Sequence, residues 1–221
     1  MRTKKRIISS GYFLDAIKVQ KSAVILAGGF SRRFGSDKGL VLLMNKPLVR
    51  HVIDNISAAV DEILVVLSSE KQKKAFEPIV KETAKLIIDS DKVQSPLIGT
   101  KTGFEVANGD YSLLIPCDAP LISTKIVQFL FDVSSNRTAV IPRWTSGHVE
   151  PLQAVYHTKS ALVAAKTALN QNRLDMRSMI NNLNNVRYVS SRVLAQFDLE
   201  LLSFFNVNTP QDLQKAESIL K

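Results

Sequence analysis

The sequence predicts a doubly wound α/β domain, with a mostly parallel central sheet covered by helices on both faces. Five short apolar runs recur along the chain, at residues 23–28 (AVILAG), 62–67 (EILVVL), 85–89 (KLIID), 111–116 (YSLLIP) and 138–142 (TAVIP). Each is continuously apolar rather than alternating, as strands buried on both faces are. Helix-like segments separate them, and strands alternating with helices are the pattern of parallel crossover units.

The elements follow in order. Residues 1–21 are basic but contain neither an uninterrupted apolar core nor a small-residue cleavage site, so they read as an extension preceding a domain at 22–221. After the first strand, residues 46–60 form a helix with Leu48, Val52, Ile53 and Ile56 on one face and Pro47 in its first turn. Beyond Pro142 the pattern loosens to a strand at 151–156 (PLQAVY), a helix at 159–169, a polar Asn-rich stretch, and a closing segment in which Thr209-Pro210 starts a helix. No linker, repeat or low-complexity tract divides the chain, so a single domain is expected.

With 221 residues and 45% apolar content, the chain can bury a substantial core. Its 29 Lys and Arg against 20 Asp and Glu give a net charge of +9, which favours anionic partners. No long basic run interleaved with aromatics is present, which argues against nucleic acid. No run reaches the roughly 18 to 20 apolar residues of a membrane span. The single cysteine, Cys117, excludes an internal disulfide and a Cys-rich metal site, and the expected setting is cytoplasmic. Cys117 reads as a small packing residue. His51, His148 and His157 show no metal-ligand spacing.

In open α/β sheets, ligands bind outside the carboxyl ends of the strands. The first strand runs straight into such a place: VILAGGFSRRFGSDKGL, residues 24–40. Gly28 and Gly29 let backbone N–H groups approach a ligand closely, Ser31 adds a hydroxyl, and Arg33 and Lys38 bring positive charge to a phosphate. Neither a Walker motif nor the dinucleotide fingerprint is present. Asp118 lies two residues past the fourth run in LLIPCDAPLIS, where a carboxylate facing a phosphate loop is placed to hold Mg²⁺.

The segment LAGGFSRRFGSDKG, followed by Lys46-Pro47-Leu48, resembles the motif L-A-G-G-x-S-x-R-x-G-x-D-K…K-P-L of the molybdenum cofactor guanylyltransferases, a branch of the nucleotidyltransferases with a Rossmann-like fold. The resemblance implies that Leu26, Ala27 and Gly28 contact the nucleotide, with Lys38 on its phosphates. Further motifs follow in the family's order. In KLIIDSDKVQSPLIGTKTG, Asp89 aligns with a nucleotide-binding Asp, and Ser95 stands where the family's G-P-L-x-G turn has glycine. Ser68 occupies a position where some relatives carry a nucleotide-touching Asn. PCDAP matches the family's metal-binding segment at Asp118. SGHVEPLQAVY and FFNVNTPQDL match two later motifs, the second of which implies that Asn206 or Asn208 touches the pterin substrate or the metal. Read from the residues alone, Asn206 and Asn208 flank a strand end before a Thr-capped helix. Arg173 and Arg177 could hold a phosphate of the second substrate or face solvent, and Trp144 could meet a pterin ring or fill the interior.

The function so implied joins GMP from GTP to the terminal phosphate of Mo-molybdopterin. Arg33, Lys38 and Asp118 are its catalytic residues, Mg²⁺ its cofactor, and molybdoenzymes or cofactor-insertion proteins the recipients of the product. Three alternatives stay open at this point. One is the same chemistry with CTP or a sugar phosphate. Another is a metal-dependent glycosyltransferase, suggested by Asp89-Ser90-Asp91. The third is a nucleotide- or nucleic-acid-binding module without turnover. Leu26-Ala27-Gly28-Gly29, where CTP-using relatives read L-A-A-G, implies guanine.

Overall fold

The computed structural model describes residues 20–221 apart from 29, 32, 33, 35, 90 and 92. Seven strands form the central sheet: β1 Lys21–Leu26, β2 Glu62–Leu67, β3 Lys85–Ile88, β4 Tyr111–Pro116, β5 Ala139–Arg143, β6 Ala154–His157 and β7 Val186–Ser190. Their order across the sheet is β7-β5-β6-β4-β1-β2-β3. β1 is parallel to β2 and β4, β2 to β3, and β5 to β7, whereas β6 is antiparallel to both its neighbours. The chain thus steps outward from β1 to β3 and then returns to β1's other side as β4. A crevice forms at the carboxyl ends where the order reverses.

The helices are α1 Leu48–Ile56, α2 Glu70–Val80, α3 Pro96–Val106, α4 Thr124–Asp132, α5 Thr158–Asn170, α6 Met176–Asn181, α7 Ser191–Leu194 and α8 Pro210–Leu220. Because successive strand residues point to opposite faces, the continuous apolar runs feed two cores. Ala23, Ile25, Val65 and Ile115 pack against α1, α2 and α4, while Val24, Leu64, Val66 and Leu114 pack against α3, α5 and α6. Helices therefore cover both faces, as the unbroken runs predict. No helix among the described residues is long and apolar enough to cross a membrane.

Several expectations need correction. The strand expected at 151–156 is β6, which begins only at Ala154; residues before it turn, with the Gln153 N–H donating to the Glu150 carbonyl. The Asn-rich stretch contains α6, which buries Met176, Met179 and Ile180 and is capped by Asp175, whose Oδ1 accepts from the Ser178 N–H at 2.9 Å. Strand β7, which no continuous apolar run announces, is an edge strand with little buried surface. Asn206 and Asn208 do not flank a strand: their segment is a loop, tied by the Val207 N–H to the Asp118 carbonyl at 2.8 Å. The segment at 95–99 is not a turn but the first turn of α3. Ser95 is its N-cap, accepting from the Ile98 N–H at 3.2 Å with an extended φ of −147°, so no glycine is required there. Most of the N-terminal extension lies outside the described residues.

Candidate active site

Strand register brings the motif residues to one height. Leu26 pairs with both Val66 and Pro116, and Val66 pairs in turn with Ile87. Two residues beyond each member of that row stand Gly28, Ser68, Asp118 and Asp89. Four motifs scattered over some ninety positions therefore emerge together at the carboxyl edge of the sheet.

A cavity of about 540 Å³ opens there. Leu26, Gly28, Ser68 and Asp89 line it, as do Ser95, Pro96 and Gly99 of the α3 start, Gln94 and Leu152. Ala27 is buried in the sheet and donates its N–H to the Val66 carbonyl at 2.9 Å, so it supports the wall without lining it. The Asp89 Oδ1 accepts from Thr102 Oγ1 at 3.3 Å and from the Asp91 N–H at 3.2 Å. Asp91 itself is turned toward Lys101 and is absent from the lining. Gln94 has no motif spacing to mark it, and Leu152, although it lies within the SGHVEPLQAVY motif, has an apolar side chain that gives no sign of a cavity role; only the folded chain brings the two to the cavity.

Beside this cavity the Lys38 Nζ donates to the Asp118 carboxylate and, at 2.6 Å, to the Asn208 Oδ1. Three residues from motifs at 38, 118 and 208 thus meet around one ammonium. Both members of the ion pair are largely shielded, at 18% and 12% side-chain exposure, so water screens it weakly. Asn208 is held by its N–H donating to Asp212 Oδ2 at 2.9 Å, within the capping box of Thr209 and Asp212 that starts α8. Gly29 and Arg33 lie outside the described residues. Ser31 belongs to a two-residue strand paired with Ser36–Asp37, and its side chain is likewise outside them.

Other candidates have structural roles. His157 caps α5, and His51 Nε2 bonds to the Leu43 carbonyl. Trp144 donates its indole N–H to Glu150 Oε1 at 2.6 Å and meets Phe204 edge-on, 5.8 Å between centroids. Cys117 is buried, and burial, followed by the neighbouring Asp118 charge, pushes its thiol pKa upward, away from nucleophilic thiolate. Arg173 and Arg177 are exposed.

The chain matches the model of the MobA-like NTP transferase domain over residues 23–186. It belongs to that family. A relative from Natranaerobius thermophilus, named "Probable molybdenum cofactor guanylyltransferase", is 33% identical over 204 residues, spanning 90% of this chain and 96% of its own. A molybdenum cofactor guanylyltransferase from Desulfosudis oleivorans is 28% identical over 94% of this chain and 98% of its own. The crystal structure of molybdopterin-guanine dinucleotide biosynthesis protein A from Archaeoglobus fulgidus superposes with a TM-score of 0.76 at 28% identity, covering 90% of this chain and 98% of that one. The 4-diphosphocytidyl-2C-methyl-D-erythritol synthase of Anaerococcus prevotii shares the fold, with a TM-score of 0.68 at 14% identity.

As an NTP transferase the chain is an enzyme that moves a nucleotide, and its site has the parts such a reaction uses. A lysine stands beside a nucleotide-sized cavity, and next to it are oxygen donors suited to a hard cation. Two of those oxygens, Asp118 Oδ1 and Asn206 Oδ1, are buried without a hydrogen-bond partner. A buried acceptor left unpaired costs about 1–3 kcal/mol. Orphaned hard oxygens on adjacent segments are what a Mg²⁺ ion coordinates, so the residues fit that ion. Among the described residues no group of three or more His, Cys, Asp or Glu gathers to hold a metal, here or elsewhere, so the donor set at this site is one carboxylate with asparagine oxygens.

Proposed function

We propose that this NTP transferase moves GMP from GTP to the terminal phosphate of Mo-molybdopterin, releasing pyrophosphate and forming the guanine dinucleotide cofactor. The observation that carries the reading is the cluster of Lys38, Asp118 and Asn208 beside the cavity of Gly28, Ser68 and Asp89. Supporting it, relatives and a structural neighbour aligned along nearly the whole chain are named for this activity.

In the reaction, a terminal phosphate oxygen of the pterin substrate attacks the α-phosphorus of GTP. The new P–O bond forms as the bond to the oxygen bridging to the β-phosphate breaks, and that electron pair leaves with pyrophosphate. Because the nucleophile is already an anion, the protein's task is positioning and charge neutralisation. Lys38, with Arg33 from the same motif, holds the charge that builds on the α-phosphate and the leaving pyrophosphate. A Mg²⁺ held by Asp118, with Asn206 and Asn208 as neutral oxygen donors, would supply further neutralisation of the phosphates.

Guanine is favoured by Gly28 and Asp89. A Cβ added at Gly28 would stand 3.4 Å from the Ser68 nitrogen and 3.5 Å from its Cβ, ordinary contact distances. Folding therefore does not demand glycine here; what it preserves is room in the cavity for a purine. The Asp89 carboxylate at the wall is an acceptor matched to guanine's N1–H and amine. The reading includes a cytoplasmic setting and molybdoenzymes or cofactor-insertion proteins as recipients of the product.

Pyrophosphate release with each of four nucleoside triphosphates, with and without Mo-molybdopterin, tests it. GTP should exceed ATP and CTP by at least about 10²-fold in kcat/KM, since a polar site left unpaired rejects the wrong base strongly. Comparable turnover with CTP would replace the guanylyl assignment by a cytidylyl one, and release independent of the pterin would remove that acceptor.

A further inference from the structure

We propose that Gln72 is a positioning residue that couples Lys38 to the wall of the nucleotide cavity, so that the phosphate-binding lysine and the base-binding wall act as one body; this rests on the transferase reading above. Gln72 is only 6% exposed, in the first turn of α2. Its Oε1 accepts two hydrogen bonds from Ser68, from the backbone N–H and from Oγ, each at 2.8 Å. Its Nε2 donates to Asp37 Oδ1 at 2.6 Å. Ser68 lines the cavity, and Asp37 immediately precedes Lys38.

A second contact reinforces the first. One turn along α2, the Phe76 ring forms the floor beneath Gly39, so close that a Cβ there would lie 2.9 Å from two ring atoms. Residues 37–39 therefore ride on one face of α2, held by a polar tie at Gln72 and an apolar support at Phe76, four residues apart. Helix α2 in turn starts at the cavity wall, with Ser69 Oγ capping it by accepting from the Gln72 N–H at 3.2 Å. A helix cap alone would explain the Ser68 bonds but not the arm to Asp37.

The chemistry requires an amide. Gln72 must accept at one end and donate at the other. A glutamate keeps the acceptor for Ser68 and suits a helix N-terminus, but it sets a second carboxylate against Asp37 with no proton between them. An asparagine at 37 would supply that proton, restoring the tie with its direction reversed.

The test uses the whole chain and three variants: Gln72→Glu, Asp37→Asn, and the two combined, each measured for kcat, GTP affinity by calorimetry and thermal unfolding. Gln72→Glu should lower kcat by about tenfold or more, since an ångström of misplacement at a reacting centre costs up to about 10²-fold, while GTP affinity changes by less than about threefold. Asp37→Asn, which leaves an acceptor for Nε2, should stay within about threefold of wild type, and the combined variant should recover to that level. A Gln72→Glu enzyme with wild-type kcat, or a combined variant as slow as Gln72→Glu, overturns the proposal. If Gln72→Glu alone does not fold, the combined variant decides: fast supports the coupling and slow refutes it. The wild-type control separates the two readings. If wild type neither binds GTP nor releases pyrophosphate from it, the guanylyltransferase reading falls; if it does both and the variants depart from the pattern, only the Gln72 proposal falls.

Discussion

Replacing Lys38 with alanine tests the centre of the site through two independent readouts. The substitution removes the ammonium from Asp118 and Asn208 and leaves Asp118 with a charge, one newly unpaired oxygen and one that already lacks a partner. Breaking a buried ion pair by deleting one partner costs about 3–5 kcal/mol. Here the side chains keep 18% and 12% exposure beside an open cavity, so water relieves part of that charge and about 2 kcal/mol is expected. For a chain of this size that lowers Tm by about 4–8 °C. In a pyrophosphate-release assay, kcat/KM should fall by at least about 10²-fold, the usual consequence of deleting a preorganised charge at the transition state. Combining Lys38→Ala with Asp118→Asn removes the orphaned charge, so calorimetry should show more than half of the lost Tm restored while activity stays low. An unchanged Tm in Lys38→Ala, or a double variant no more stable than the single one, would refute the energetic reasoning. Activity within a few-fold of wild type would remove Lys38 from the mechanism.

Other perturbations separate space, packing and charge. Gly28→Ala adds a methyl that the backbone tolerates but the cavity does not; Tm should stay within about 2 °C, while GTP affinity by calorimetry falls by about tenfold or more, the usual scale for one misfitting methyl group. Gly39→Ala drives a Cβ to 2.9 Å from the Phe76 ring, an overpacking worth about 1–3 kcal/mol in a thermal scan, and adding Phe76→Leu should recover most of it. Glu62→Gln probes pH dependence. Burial raises the Glu62 pKa, but hydrogen bonds from Ser22 Oγ and the Asn108 N–H, each at 2.5 Å, and from Asn108 Nδ2 outweigh it, leaving the pKa below the ordinary glutamate range. A depressed carboxyl pKa stabilises above its unfolded value and loses that stabilisation as pH falls through the folded one. The Tm gap between wild type and Glu62→Gln should therefore be full near pH 7 and close below about pH 4.

The fold is legible where local pattern and tertiary demand agree. The apolar runs at 62–67 and 111–116 become β2 and β4 without a shifted end, because strands buried on both faces need unbroken apolar sequence. The run at 138–142 becomes β5 displaced by one residue, within the usual uncertainty of strand ends. Legibility fails toward the far edge of the sheet. Strand β6 offers only Ala154–His157, and nothing in four residues reveals that it runs antiparallel between β4 and β5. Helix α6 is six residues long, and its Met176, Met179 and Ile180 stripe is too short to stand out from the polar residues around it. Gln72 did leave a trace: Ser69 followed three residues later by Gln72 is a helix-start pattern. That pattern predicts a bond to the helix's own first residues and gives no hint of the arm to Asp37.

Why the strand-end residues could be placed from the sequence, whereas Lys38 and Asn208 could be named from their motifs but their meeting could not, follows from register. Leu26, Val66 and Ile87 all belong to the face packed against α3, α5 and α6. Side chains alternate along a strand, so positions two beyond that row, Gly28, Ser68 and Asp89, continue toward the same face, where the start of α3 closes the cavity. A slip of one residue between β1 and β2 would present Ser69 in place of Ser68 and turn the apolar residues of β2 away from their core. The burial that fixes the strand pairing therefore also fixes the height and direction of three cavity residues, and a motif just past an apolar run carries both facts in its spacing. Lys38 and Asn208 have no such tether. Lys38 reaches Asp118 because residues 37–39 lie across α2, and Asn208 because the capping box of α8 holds its backbone. Those supports are contacts between side chains far apart in sequence, and the meeting of 38, 118 and 208 exists only once both are made.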